Sequence, residues 1–257
     1  MNDVRVPSWP GVAISLVLVA LAFAVVARAR LGVSRDLVVA AARAGVQLAV
    51  VGALLLAVFH YAGLPGAAAW VAIMVVIAGQ VAGRRGRPLP RARTIATLGA
   101  AAGSATTLIT LVGLGVISAQ ARVVVPVGGM IVSTAMQASG LALTRLREEI
   151  RTGRDAIEVR LSLGLSARAA FAPHTRGALR TALLPAIDST KVVGLISLPG
   201  AMTGLILAGV DPLTAIRYQI VVMYMLLAAA TLSAYVTARA AERAIFDDAH
   251  RLREIPP

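Results

Sequence analysis

Residues 158–209 read EVRLSLGLSARAAFAPHTRGALRTALLPAIDSTKVVGLISLPGAMTGLILAG. The stretch opens basic and amphipathic, passes Pro185, and becomes an apolar run holding Asp188 and Lys191. A charge inside a run of membrane-crossing length is costly, so it needs a physical reason to be there. Lys191 is also the only lysine; the other residues in the count of 25 basic side chains are arginines. Working outward, the rest of the chain reads as the scaffold that holds the arginine-rich ramp and the charged pair in place.

The composition supports that reading. Of 257 residues, 58% are hydrophobic and only 14% charged, and the mean hydropathy is +0.81. A soluble domain needs more charge to cover its surface, so the chain is expected to be an all-α, polytopic membrane protein. A net charge of +13 in a soluble protein would point to nucleic acid. Here the arginines sit between apolar runs, where positive charge sets topology, and no nucleic-acid role is expected. With no cysteine, disulfides and thiolate metal ligands are excluded. The start, MNDVRVPSWPG, lacks a basic leader and a small-residue cleavage site, so the first apolar run is expected to stay in the mature protein.

Seven apolar runs approach the roughly 20 residues a helix needs to cross a bilayer: about 11–27, 37–59, 67–83, 94–117, 123–144, 181–208 and 214–238. They are continuously apolar rather than alternating, which argues against a barrel. Arg28, Arg30 and Arg35 follow the first run, Arg84, Arg85, Arg87, Arg91 and Arg93 the third, and eight arginines from Arg145 to Arg180 the fifth; the other loops are nearly bare of basic residues. Because positive loops stay in the cytoplasm, the N-terminus is expected outside and the C-terminus inside. Gly79/Gly83, Gly99/Gly103 and Gly200/Gly204 have the spacing that lets helices approach closely, either within one bundle or at a dimer face. No repeat or long linker divides the chain, so residues 1–257 are expected to form one permease domain.

Residues 145–180 are too polar to span and too regular for a loose loop. Arg147, Glu148, Glu149, Arg151, Arg154, Asp155 and Glu158 can pair at i,i+3 and i,i+4 on a helix. Beyond them Val159, Leu161, Leu163, Leu165, Ala169, Ala170 and Phe171 give an apolar surface beside Arg160 and Arg168. Such a segment suits a helix lying on the membrane or docking on a partner, or a solvated connector. Glu158 and Gly164 have the E-x5-G spacing of the coupling loop of ATP-binding-cassette (ABC) permeases.

Asp188 and Lys191 are spaced i,i+3 and share a helix face. Pro185 and Pro199 flank them, each lacking a backbone donor, so a kink or break is expected there and before Gly200. The pair is either an ion clamp that fixes packing or a group lining or gating a path. Arg43 and Gln47, at i,i+4, share a face of the second run; Arg43 either snorkels to the inner surface or meets Asp188. Met130, Met136, Met202, Met223 and Met225 read as packing rather than soft-metal ligands. His60, His174 and His250 fall in different loops or tails and form no metal site the sequence can justify. There is no G-x4-GK[ST] loop, so the chain is expected neither to bind ATP in that manner nor to be an enzyme, and it is expected to hold no cofactor of its own.

RAGVQLAVVG in the second run, LSLGLS in the cytoplasmic segment and LLPAIDSTKVVGLISLPGAMTGLILAGVDPLTAIRYQI through the last two resemble the FetB (YbbM-type) ABC transporter permeases. These are membrane subunits linked to iron export in bacteria and related to plant permeases linked to aluminium tolerance. The resemblance runs from about Arg43 to Tyr235 and is most specific from Asp188 to Gln219. It implies a permease in the bacterial cytoplasmic membrane, driven by a separate cytoplasmic ATP-binding subunit, with a homodimeric core in the lipid bilayer and a metal ion as possible substrate. It supplies no ligand map. The expected pathway residues, Arg43, Gln47, Asp188 and Lys191, rest on charge and burial, and the expected ATPase-coupling residues are Glu158, Gly164, Ser166 and Phe171. An ion-coupled secondary transporter using Asp188 and Lys191 is the competing expectation, and a membrane scaffold a third.

Overall fold

The computed structural model describes residues 8–30, 32–57, 63–196, 198–247, 249 and 251–254. Expectations for residues 1–7, for positions 58–59 of the second run and for His60 and His250 lie outside these. The described residues are all-helical, without a strand: α1 (Trp9–Arg28), α2 (Ser34–Ala57), α3 (Gly63–Arg85), α4 (Ala92–Gly113), α5 (Ala121–Ser162), α6 (Ala167–Val192), α7 (Gly200–Leu207) and α8 (Pro212–Ile245). Among them α1, α3, α4, α5 and α8 are long and apolar enough to cross a membrane. The chain divides into two units, Met1–Ala62 and Gly63–Pro257.

The first unit is a helical pair. The Ser8 side chain caps α1 by accepting from the Gly11 N–H at 3.4 Å, and Pro10 occupies the first turn, where its missing donor costs nothing. No residue of α1 is buried. A helix that is apolar on all sides and unburied is at home only in lipid or against another apolar surface. On α2, Arg43 and Gln47 are both exposed.

In the second unit α5 packs against α3, α4, α6 and α8. Two of the three glycine pairs explain how closely the helices approach. A Cβ on Gly83 would sit 2.7 Å from the Arg93 nitrogen, and one on Gly79 would strike Thr97, so α3 and α4 run antiparallel at backbone distance. On the other face of α4, a Cβ on Gly99 would lie 2.9 Å from the Ser233 carbonyl and one on Gly103 2.9 Å from that of Ala229, both on α8. The third pair, Gly200/Gly204, has open space where a side chain would go. Spacing alone did not separate these cases.

α5 corrects the expected boundary near Thr144. It is one helix of 42 residues, about 63 Å long at 1.5 Å per residue, against a hydrocarbon core of about 30 Å. It continues into the charged segment because the buried stripe continues: Leu143, Leu146, Ile150 and Ile157 are all buried at helical spacing. Charges on the opposite face pair as expected, Arg151 with Glu148 at 2.7 Å and Arg154 with Glu158 at 2.8 Å. The segment from 145 onward is therefore half of a helical hairpin rather than a separate surface helix.

LSLGLS forms the hairpin turn. Gly164 (φ +85°) follows the last residue of α5's cap, with Leu165 N–H donating to Arg160 C=O at 3.2 Å and Gly164 N–H to Leu161 C=O at 2.9 Å. These two bonds satisfy carbonyls that a helix end leaves orphaned, in the geometry that favours glycine. Gly164 thus lies outside any helix. Ser166 then caps α6, its hydroxyl accepting from Ala169 N–H at 3.3 Å. Arg160 Nη1 reaches the Ala170 carbonyl at 3.2 Å and pins the turn.

Of the kink or break expected at Pro185, no break occurs. α6 runs through Pro173 and Pro185 and stops at Val192, because packing against α5 and α8 holds a helix that proline alone would weaken. The run 181–208 is not one span. It is the end of α6, a non-helical connector with Gly194 at φ +82°, and the eight residues of α7, which starts at Gly200 with Pro199 at its N-cap. Asp211 caps α8 by accepting from Thr214 N–H at 3.1 Å.

Candidate functional site

The candidate side chains of this region gather at the two ends of α6. At its N-terminal end, α5, α6 and α8 enclose polar groups in a built core. Phe171 is fully buried, its ring 5.9 Å edge-on from Phe246 and 5.7 Å from His174. The expectation that Phe171 contacts a partner is therefore corrected: helix α6 turns it inward, against Ile150, Ile157, Phe246 and Leu252 of the same core. His174 lies on α6, not in a loop. Its Nδ1 is 2.8 Å from a Glu149 oxygen on α5, and its ring fills the space where Gly153 carries no side chain, since a Cβ there would come within 3.1 Å of Nδ1. Glu242 of α8 is buried; its carboxylate accepts from Arg239 Nη1 at 2.9 Å and Thr175 Oγ1 at 3.4 Å. Buried charge in this region is hydrogen-bonded, as its desolvation requires.

The surface at this end is the hairpin tip. Glu158, Gly164 and Ser166 come together there, and the apolar residues exposed beside them are Val159, Leu163 (73% exposed) and Leu165. The sequence alone could not tell which apolar residues of the segment turn outward. On the helix leading to the tip, the Arg151 hydrogen bond holds the Glu148 carboxyl below its ordinary range.

At the C-terminal end, Asp188 and Lys191 do form a pair, with Nζ 3.8 Å from Oδ1. No neighbouring helix of the chain covers them: the side chains are 63% and 70% exposed within the chain. Lys191 sits in the last turn of α6, where a cation is favoured by the unpaired carbonyls of the helix end, and the pair points away from α5 and α8. Beyond it Leu195, Ile196 and Leu198 are exposed as well. The opposite face of the same turns lines a cavity of about 360 Å³ between α5, α6 and α8, bordered by Thr134, Gln137, Pro185, Ser189, Thr190, Met223 and, from the end of α3, Arg85. The hydroxyls of Ser189 and Thr190 donate back to the Ala186 carbonyl at 3.0 and 2.7 Å, which leaves their lone pairs for the cavity. The cavity residues were not foreseen; small polar residues on three helices look like packing until the helices are assembled. Gln219 on α8 was also missed as a site: it is 5% exposed, and neither side-chain polar atom finds a partner among the described residues. No group of three or more acidic or histidine side chains that could hold a metal occurs among the described residues.

The sequence is matched over residues 9–246 by a family model described as Uncharacterised protein family (UPF0014). The chain belongs to the UPF0014 family. It is 41% identical to the rice "UPF0014 membrane protein STAR2" over 92% of this chain and 83% of that protein. It is 36% identical to "Protein ALUMINUM SENSITIVE 3" of Arabidopsis thaliana over 94% and 88% respectively. With the "Probable iron export permease protein FetB" of Escherichia coli it shares 34% identity over 93% of both chains. No solved structure matches this UPF0014 chain. The match to the FetB-type permeases bears out the resemblance read from the sequence, and the rice and Escherichia coli relatives are named as a membrane protein and a permease.

Proposed function

We propose that this chain is the membrane subunit of an ABC exporter for iron or a related metal, powered by a separate ATP-binding subunit. The observation that carries the reading is the α5–α6 hairpin. α5 outruns the bilayer by about 30 Å on the arginine-rich side and ends in a capped turn that exposes Val159, Leu163 and Leu165 beside Glu158. By the positive-inside rule that side is cytoplasmic, which is where an ATPase is available. Seven membrane segments, counting α2 and the α6–α7 pair with the five apolar helices, put the N-terminus outside and the C-terminus inside. The chain works as one permease domain, with ATP bound by the partner and no cofactor of its own. The open face of Gly200 and Gly204 suits a second copy in a homodimer. Where FetB's name gives iron export, we carry the same cargo to this chain as substrate.

The test is co-purification. Leu163→Asp combined with Leu165→Asp changes only exposed side chains, so the protein inserts and folds while its ATP-binding subunit is lost. Retention of that subunit at wild-type levels rules the tip out as the coupling element.

The second reading, an ion-coupled secondary transporter, draws on the Asp188–Lys191 pair, a charged pair inside a run of membrane-crossing length. It predicts metal transport driven by a proton gradient without ATP; the ABC reading predicts none until ATP and the second subunit are supplied.

A further inference from the structure

The cavity between α5, α6 and α8 carries information about the charge of what passes. Arg85 is its one charged lining residue. It projects from the end of α3 along α5, within 3.3 Å of where a Gly140 side chain would begin, and Gln137 and Thr134 follow one and two turns deeper. The remaining polar lining, Thr134, Gln137, Ser189 and Thr190 with the Met223 thioether, is neutral. Across all seven apolar runs the sequence contains one carboxylate, Asp188, and it is held by Lys191 on the other side of the helix. A second copy of the chain would bring the same inventory. Hard divalent cations are held by several oxygen ligands including carboxylates, and softer ones by imidazole or thiolate. Neither set is available here, and a guanidinium at the rim repels a bare cation. Its forked donors match carboxylate and phosphate oxygens instead.

Building on the permease reading, we propose that this cavity is the solute site and that it takes an anion: a metal leaves as an anionic oxygen-donor chelate, not as a bare cation. Arg85 pairs with a carboxylate or other oxyanion of the solute, Gln137 and Thr134 donate to it, and Ser189 and Thr190 accept from its hydroxyl groups or bound water. The volume is within the range of small-molecule sites.

The test is equilibrium binding to the purified full-length chain, using ferric citrate, citrate alone and ferrous ion as probes. Ferric citrate is expected to bind. Arg85→Gln should weaken it by at least about tenfold, the value of one charge-assisted hydrogen bond, with Arg85→Lys restoring part of the loss. Gln137→Leu should weaken it too, with thermal unfolding unchanged. Binding of citrate alone with the same Arg85 dependence identifies the anion itself as the ligand; binding only as the ferric complex identifies the chelate. Ferrous ion binding that survives Arg85→Gln and is abolished by Asp188→Asn overturns the proposal, as does failure of both citrate forms to bind. The underlying exporter reading fails separately: Arg85-dependent anion binding without ATP-driven efflux from vesicles holding both subunits sinks the exporter and leaves the site. ATP-driven efflux of ferrous ion that ignores Arg85→Gln does the reverse.

Discussion

The two ends of α6 are made of the same helix and solve opposite problems. At the N-terminal end, Phe171, His174 and Thr175 are packed against α5 and α8, and the buried Glu242 carboxylate accepts from Arg239 and Thr175, while His174 Nε2 is buried without a partner among the described residues. At the other end Asp188 and Lys191 pair only with each other and stand exposed, followed by three exposed apolar residues on a connector. A finished core and an unfinished surface lie about 25 Å apart along the axis, from Phe171 to Asp188. The first end holds shape by itself; the second is shaped to be completed by lipid, solute or another protein surface. Stability should therefore concentrate at one end and transport at the other.

The strongest way to break this contrast is to empty the built end. Phe171→Ala removes the largest fully buried side chain, and large-to-small changes of this kind cost about 3–5 kcal/mol. Thermal unfolding in detergent should show the loss; an unchanged midpoint would mean that the core at this end does not hold the hairpin. A smaller effect is expected where α5 makes room for His174. Gly153→Ala forces a methyl toward the imidazole, an overpacking cost of about 1–3 kcal/mol, and Gly153→Ala/His174→Ala should recover much of it.

At the unfinished end the expected stability effects are smaller still. Because no neighbouring helix of the chain covers the pair, Asp188→Ala/Lys191→Ala, which removes both charges together, should leave unfolding nearly unchanged. Transport is the separate readout: wild-type transport by the Asp188→Ala/Lys191→Ala protein would reduce the pair to a surface feature, and we expect transport to be lost. Smallest is the C-terminal tail. The backbone N–H of Arg251, with its guanidinium, holds the Asp247 carboxyl below its ordinary value of 3.8. That contribution is present above the ordinary value and disappears as pH falls through the lowered one. Proteolysis of the tail should accelerate only under such acid conditions, and Asp247→Asn should remove the pH dependence.

Much of this was legible in the sequence where one physical signal dominates. Long apolar runs located α1, α3 and α4 and the start of α8 closely, and the arginines after the first and third runs fall where α1 and α3 end. Pro199 marked the start of α7, while at Pro185 the helix continues, packed against α5 and α8. The end of the fifth run was misplaced at Thr144 because hydropathy falls there, although the buried stripe from Leu143 to Ile157 keeps helical spacing through the charges. Phe171 and Leu163 looked alike as apolar residues of one amphipathic segment; which of them faces inward depends on the turn at Gly164. The cavity was least legible, since Arg85, Gln137 and Ser189 are more than 100 positions apart from first to last and meet only by helix packing.

The unbroken length of α5 has a mechanical consequence. The helix carries Gln137 in the cavity wall and Ser162 at the hairpin turn, about 38 Å apart along one rigid axis. A rod of that kind needs no chain of side-chain rearrangements to transmit a push. Swinging it by about five degrees around its far end carries the turn through about 5 Å, one helical pitch, while the cavity wall travels less than half as far. On the proposed reading, with solute in the cavity and the ATP-binding subunit at the turn, the hairpin would act as a lever whose mechanical advantage is set by the number of residues between the two.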